Sequence, residues 1–362
     1  MRICFFLGGF IGAGGIGRVT SVLSNALAKN EDHEIYTLSY SLPQKPAVYQ
    51  LDENVRQDFL LPTAVGMKNA ILQGAVGKLV QYLKQNKIEV LIACGSLFYP
   101  LAIMACKQTR TKCICWEHTA PHVVTDHAFQ MQSRIFGARR SAANVLITRA
   151  AKEEYDSKIA KKGKNLTIYN PIDEKAVEAA REYDKNSRKI ISVGRLSYQK
   201  NYEQLLSVAN AVLSKRSDWT WDIYGDGEQH DQLAEIIKGY GMEDRITLKG
   251  QVSDIYDRYG EYSFIVLLSR YEGFPMTLLE ASANGLPMVS FDVRTGPNEI
   301  IDNGRNGYLL PFGDENGAAN AIDSLMTNEE LRVRMALASR QSADQFKLSK
   351  ITSQWKELFD SL

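Results

Sequence analysis

Apolar residues in this chain gather into short runs separated by longer amphipathic or charged stretches. In the first half, residues 3–7, 34–40, 90–93, 113–116, 144–147 and 166–169 read as buried strands. Residues 16–28 carry Val19, Val22, Leu23, Ala26 and Leu27 at helical spacing, which predicts a helix after the first strand. The second half repeats the alternation, with strands expected at 189–193, 219–224, 245–248, 264–268, 288–291 and 308–310. Strand alternating with helix points to parallel, doubly wound α/β sheets. Near the C-terminus, Trp355, Leu358, Phe359 and Leu362 share one face of a last helix.

At 362 residues the chain has room for about two domains of the usual ~150 residues. Asn170-Pro171 closes the first half, and the charged stretch 171–188 reads as a linker or interdomain helix. This divides the chain into 1–170, a linker at 171–188, a second domain at 189–345, and a C-terminal helix at 346–362. The net charge of +1 hides a split: residues 1–170 carry roughly +9 and the remainder roughly −8. A basic first domain points to an anionic partner such as phosphates or a membrane surface. The five cysteines, Cys4, Cys94, Cys106, Cys113 and Cys115, show neither a disulfide framework nor paired C-x-x-C ligands, which fits a reducing, cytoplasmic compartment. The opening apolar run breaks into glycines without a cleavage site, and no stretch reaches the ~20 apolar residues of a membrane span.

Four stretches offer chemistry. Gly12-Ala13-Gly14-Gly15-Ile16-Gly17 lies between the first strand and its helix, where backbone N–H groups can approach an anion. It fits G-x-G-x-x-G, but the second strand ends in Leu38-Ser39-Tyr40 without the acidic residue a dinucleotide ribose needs, which argues against NAD. Trp116-Glu117-His118-Thr119 follows a strand, so His118 could hydrogen-bond a substrate hydroxyl; His118, His122 and His127 match no zinc spacing, and 119–129 reads as a loop. Arg195 and Lys200, in Gly194-Arg195-Leu196-Ser197-Tyr198-Gln199-Lys200-Asn201, also follow a strand and suit phosphate oxygens. Finally, the run 264–268 enters a Gly273-Phe274-Pro275 corner and a helix that Gly285 can end. The free N–H groups of that helix form an anion seat, with Glu272 on the corner and Glu280 in the second turn.

Taken together, these stretches resemble the retaining glycosyltransferases of family 4, which have the GT-B fold: two Rossmann-like doubly wound domains facing across a cleft. The resemblance also rests on Arg18, Asn170-Pro171, Gly225-Asp226-Gly227, and Thr295-Gly296-Pro297-Asn298-Glu299-Ile300-Ile301 with Gly304 and Asn306-Gly307. It runs through most of the chain in order. By this resemblance, Arg195 and Lys200 bind the donor diphosphate and Gly15 offers it a backbone N–H. Glu272 contacts the donor sugar, in a pocket shaped by Gly273, Phe274 and Pro275. Glu280 holds the ribose, Gly250, Gln251 and Val252 lie near the base, and His118 sits beside the transferred sugar. No D-x-D motif is evident, which implies a metal-independent site with no cofactor beyond the nucleotide sugar. Where many members carry a glutamate before the arginine of the glycine loop, this chain has Gly17.

The resemblance implies transfer of a hexose or N-acetylhexosamine, from UDP by the Gly296–Ile301 run, to a glycan acceptor, and the basic first domain points to one that is lipid-linked. The basic first domain adds peripheral contact with the inner face of the cell membrane. GDP-mannose as donor, a GT-B epimerase acting on UDP-N-acetylglucosamine and an NAD-dependent oxidoreductase are the enzymatic alternatives. A nucleic-acid-binding module would use the same basic half but lacks a recognisable motif.

Overall fold

The computed structural model describes residues 1–10, 14–29, 32–42, 49–66, 69–70, 73–119 and 127–362. Gly12, Ala13 and His122, singled out above, lie outside the described residues, as does most of the expected loop at 119–129. The chain forms two units, Met1–Pro171 with Leu348–Leu362, and Ile172–Lys347.

The first unit is built on seven parallel strands: β1 (Arg2–Leu7), β2 (Glu34–Ser41), β3 (Val55–Leu61), β4 (Val90–Cys94), β5 (Lys112–Glu117), β6 (Ala143–Leu146) and β7 (Asn165–Thr167). Their order across the sheet is β3-β2-β1-β4-β5-β6-β7. Strands β1, β4, β5 and β6 are buried almost throughout, which is why they read as continuous apolar runs. Strand β3 was not expected. It sits at the sheet edge with Arg56, Gln57, Asp58 and Phe59 exposed, so its sequence lacks the apolar run of a central strand. Helices α1 (Gly15–Ala28), α2 (Ala75–Gln85), α3 (Tyr99–Cys106), α4 (His127–Ala138) and α5 (Arg149–Glu154) provide connections, and a π-helical turn at Tyr155–Ile159 extends α5.

The second unit has six parallel strands: β8 (Lys189–Val193), β9 (Thr220–Tyr224), β10 (Ile246–Gly250), β11 (Phe264–Leu267), β12 (Met288–Asp292) and β13 (Gly307–Pro311), in the order β10-β9-β8-β11-β12-β13. Both sheets reverse their strand order once, at β1/β4 and at β8/β11, and such switch points open a crevice at the strands' carboxyl ends. Its helices are α6 (Glu174–Glu178), α7 (Tyr202–Leu213), α8 (His230–Gly239), α9 (Ile255–Arg258), α10 (Met276–Ala283), α11 (Pro297–Ile300), α12 (Glu315–Thr327) and α13 (Glu329–Ser342). A core of Leu205, Val212, Trp221, Ile223, Val266, Phe291 and Ile322 packs strands against helices. Residues 172–188 lie on this unit. The Asp173 carboxylate caps α6 by accepting from Lys175 N–H, and Tyr183 donates its hydroxyl to the Ser263 carbonyl at 2.8 Å.

The last helix, α14 (Leu348–Asp360), belongs to the first unit. Its buried face is Leu348, Ile351, Trp355, Leu358 and Phe359. Trp355 meets Trp116 edge-on at 5.0 Å between ring centres, an arrangement that adds about 1 kcal/mol to the burial of two indoles. The chain therefore enters the second unit after Pro171 and leaves it before Leu348.

Candidate active site

In the second unit the candidate groups converge on the β8/β11 switch point. Strand β8 delivers Gly194–Lys200 and β11 delivers Ser269–Glu272, and the two loops are cross-tied by one backbone and two side-chain amide bonds. Arg270 N–H donates to the Gln199 carbonyl at 2.8 Å, Gln199 Nε2 to the Tyr271 carbonyl at 3.0 Å, and Asn201 Nδ2 to the Leu268 carbonyl at 3.0 Å. Asn201 adopts φ +57, a left-handed conformation that asparagine tolerates, and starts α7 there. These ties bring Lys200 Nζ to 2.6 Å from Glu272 Oε1, with the side chains only 15% and 5% exposed. The same carboxylate oxygen accepts from Ser269 Oγ at 2.6 Å, while Thr295 Oγ1 donates to the Glu272 carbonyl at 2.5 Å.

The lysine and the glutamate, assigned separate duties from the sequence, thus form one ion pair. Ser269 and Thr295 were not expected to support it. Ser269 stands three residues before Glu272, a spacing any loop could carry, and Thr295 arrives from beyond β12, a meeting only the sheet order reveals. Arg195 is placed differently: it is 74% exposed and pairs with exposed Glu228 at 3.2 Å. Among the described residues it has no buried ion-pair partner to lose.

Helix α10 starts at the Pro275 N-cap without a side-chain cap, so its first N–H groups remain open to an anion. Gly296 packs under this corner with φ +99, where a Cβ would meet Gly273 O at 2.9 Å. Phe274 is buried and packs edge-on against Phe346 at 5.5 Å, so what it can offer a ligand is main chain. Glu280 is also buried, and Tyr259 donates its hydroxyl to Oε2 at 2.8 Å. Tyr259 was not foreseen, because nothing local marks a tyrosine 21 residues upstream as a carboxylate partner. Gly250 ends β10 at φ +70 and accepts Gly225 N–H at 2.9 Å, with Gln251 and Val252 following.

In the first unit, the glycine loop meets the β1/β4 switch point. Gly8, Gly9, Gly14, Gly15, Gly17, Cys94 and Phe98 line a cavity of about 450 Å³. Gly15 opens α1, which has no side-chain cap and no acidic residue in its first turn. His118 follows β5, with its ring 4.2 Å from that of Trp116 between centres. It is buried, and among the described residues its Nε2 has no hydrogen-bond partner. Burial lowers its pKa to about 4, against a smaller raising influence of Glu117.

That shift predicts a pH dependence. Between about 4 and the ordinary 6.5 the unfolded chain binds a proton at His118 that the folded chain does not, so this residue weakens the fold as pH falls through that window. Urea unfolding at about pH 7 and about pH 5 should show the wild type losing more stability on acidification than His118→Asn. Equal losses would mean that His118 accepts its proton in the folded state.

Two parallel sheets, each with one switch point, define an α/β protein built from two Rossmann-like units, and the uncapped start of α10 beside Lys200 and Arg195 has the chemistry to receive an anion. The model of the family Glycosyltransferase Family 4 matches residues 13–176, and that of Glycosyl transferases group 1 matches residues 173–342. The chain belongs to the GT-B glycosyltransferases of the family 4 type. An uncharacterized glycosyltransferase of Haemophilus influenzae is 26% identical over 98% of this chain and 99% of its own length. The amylovoran biosynthesis glycosyltransferase AmsD of Erwinia amylovora is 26% identical over 99% of each chain. Among solved structures, Anabaena HepE in complex with UDP and glucose superposes with a TM-score of 0.83 over 100% of both chains at 17% identity, a likeness of fold.

Proposed function

We propose that this glycosyltransferase retains the anomeric configuration, needs no metal, and moves a hexose or N-acetylhexosamine from a UDP-sugar to a lipid-linked glycan. The observation that carries this reading is the Lys200–Glu272 pair at the mouth of β8 and β11, beside the open start of α10. A donor diphosphate would take over the Lys200 ammonium and the helix N–H groups, with Arg195 adding its fork. Glu272, released from the lysine, would accept hydrogen bonds from sugar hydroxyls. The acceptor hydroxyl would attack C1 on the face from which the diphosphate departs; the C1–O bond to phosphate breaks as the new C–O bond forms. The acceptor proton passes to the leaving phosphate oxygen. The protein's part is electrostatic: it stabilises charge growing on the diphosphate.

UDP is preferred because Gly296–Ile301 resembles the UDP-sugar members, and HepE was solved with UDP and glucose. A surface polysaccharide as product accords with the name of the Erwinia relative. No helix among the described residues is long and apolar enough to cross a membrane. Contact with the inner membrane face would instead use the exposed Arg139, Arg140, Lys158, Lys161, Lys162 and Lys164 of the first unit. Incubation with radiolabelled UDP-glucose, UDP-N-acetylglucosamine and GDP-mannose, each with lipid-linked acceptors, tests the proposal. A UDP donor should yield an α-linked product and free UDP without added metal. Turnover of GDP-mannose alone would transfer the assignment to a mannosyltransferase, and inversion at C1 would overturn the same-face mechanism.

A further inference from the structure

The Glu117 carboxylate, 1% exposed at the end of β5, is saturated with donors from three separate elements. Its Oε1 accepts from Thr119 Oγ1 at 2.8 Å and Thr119 N–H at 3.3 Å, two residues along its own chain. Its Oε2 accepts from Arg134 Nε on α4 at 2.7 Å and from the Tyr155 hydroxyl, on the π-helical turn, at 2.9 Å. The ring closes where Arg134 Nη2 donates to Thr119 Oγ1 at 3.1 Å. Arg134 is fully buried. The two Glu117–Thr119 bonds span His118: the carboxylate before it grips the backbone and hydroxyl of the residue after it, while Arg134 and Tyr155 hold that carboxylate in place. The imidazole between them rests on Trp116, which is itself wedged by Trp355.

We infer that Glu117, Thr119, Arg134 and Tyr155 form a clamp that positions the His118 imidazole for the transferred sugar. This rests on the reading of His118 as the group beside that sugar. Three observations separate positioning from mere cohesion. A buried ion pair is a poor source of stability, since well-packed apolar residues do as well, whereas a fully satisfied one specifies a single geometry. Thr119 is exposed and contributes little burial, yet both its N–H and its hydroxyl are engaged. The Tyr155 contact comes from a π-helical turn, an irregularity that recurs at functional sites. All four are positioning residues that act through His118.

The test is a double-mutant cycle on the full chain with a UDP-sugar as donor. Thr119→Val removes the hydroxyl at an exposed site, so the fold should persist. We expect kcat to fall about ten- to a hundredfold, as for a reacting group displaced by a fraction of an ångström to an ångström. The donor KM and the thermal stabilisation by UDP should stay at wild-type values. In a His118→Ala background the same substitution should then have no further effect on kcat, because the group it positions is gone. Multiplicative losses in the double variant would overturn the clamp, as would wild-type kcat in Thr119→Val when His118→Ala is impaired. Wild-type kcat in His118→Ala would instead overturn the reading of His118 on which the clamp depends.

Discussion

Lys200→Ala is expected to lower kcat by about 10²- to 10³-fold, the loss that follows removal of one group stabilising transition-state charge. Arg195→Ala should also cut activity severely, so kinetics alone will not separate the two cations. Stability will. Lys200 is 15% exposed and faces a carboxylate that is 5% exposed; without it, among the described residues, the Glu272 carboxylate keeps only the Ser269 hydroxyl against its buried charge. The expected cost is about 3 kcal/mol, the lower end of what breaking a buried pair incurs, since the lysine retains some water. Arg195 and Glu228 are 74% and 56% exposed, and removing that arginine should change stability by no more than about 0.5 kcal/mol. Urea unfolding of both variants measures the contrast directly. A Lys200→Met, Glu272→Leu double variant should regain most of the stability and none of the activity, because apolar replacement removes the stranded charge but supplies nothing for a diphosphate. An equal loss of stability in both single variants would mean that the ion pair does not support the fold.

The same pair shows where sequence reading stops. The run that became β11 was legible because both faces of the strand are covered, and the Gly-Phe-Pro corner marked the start of α10 by local chemistry alone. Glu272 and Glu280 could be assigned to that corner and helix from their spacing. The attachment of Glu272 to a lysine 72 residues earlier could not, because it depends on β8 and β11 lying side by side, across the point where strand order reverses. Glu117 is a similar case. It was visible as the neighbour of His118, whereas its partners Arg134 and Tyr155 come from α4 and the π-helical turn, 17 and 38 residues away. Strand β3 escaped for a different reason: an edge strand need not be apolar on its outer positions, so its residues carry no run to detect.

Gly225→Ala should be the most damaging conservative change in the second unit. The Gly225-Asp226-Gly227 stretch reads as a turn closing β9, and a turn would tolerate some substitution. Its surroundings do not. A Cβ at Gly225 would lie 2.0 Å from the Gly194 carbonyl oxygen, and one at Gly227 would lie 2.3 Å from that of Leu196. Gly225 moreover adopts φ +134, which side chains avoid. The contact is backbone against backbone, reinforced where Gly194 N–H donates to Tyr224 O at 2.9 Å and Leu196 N–H to Asp226 O at 3.0 Å. No rotamer change can relieve such a clash, so the Arg195 loop must move away from β9 or the unit must open. We expect Gly225→Ala to destabilise by more than about 4 kcal/mol, the range reserved for severe steric conflict, or to be recovered insoluble. Gly250→Ala is the control: its φ of +70 is also unfavourable, yet a Cβ there meets nothing within 4 Å. That variant should lose only about 1 kcal/mol. If Gly225→Ala folds at a reduced level, its kcat should fall with Arg195→Ala, because the glycines serve to hold that arginine's main chain in place. Matching stability and activity in the two glycine variants would show that the β8 loop yields freely, and would remove the reason for glycine at position 225.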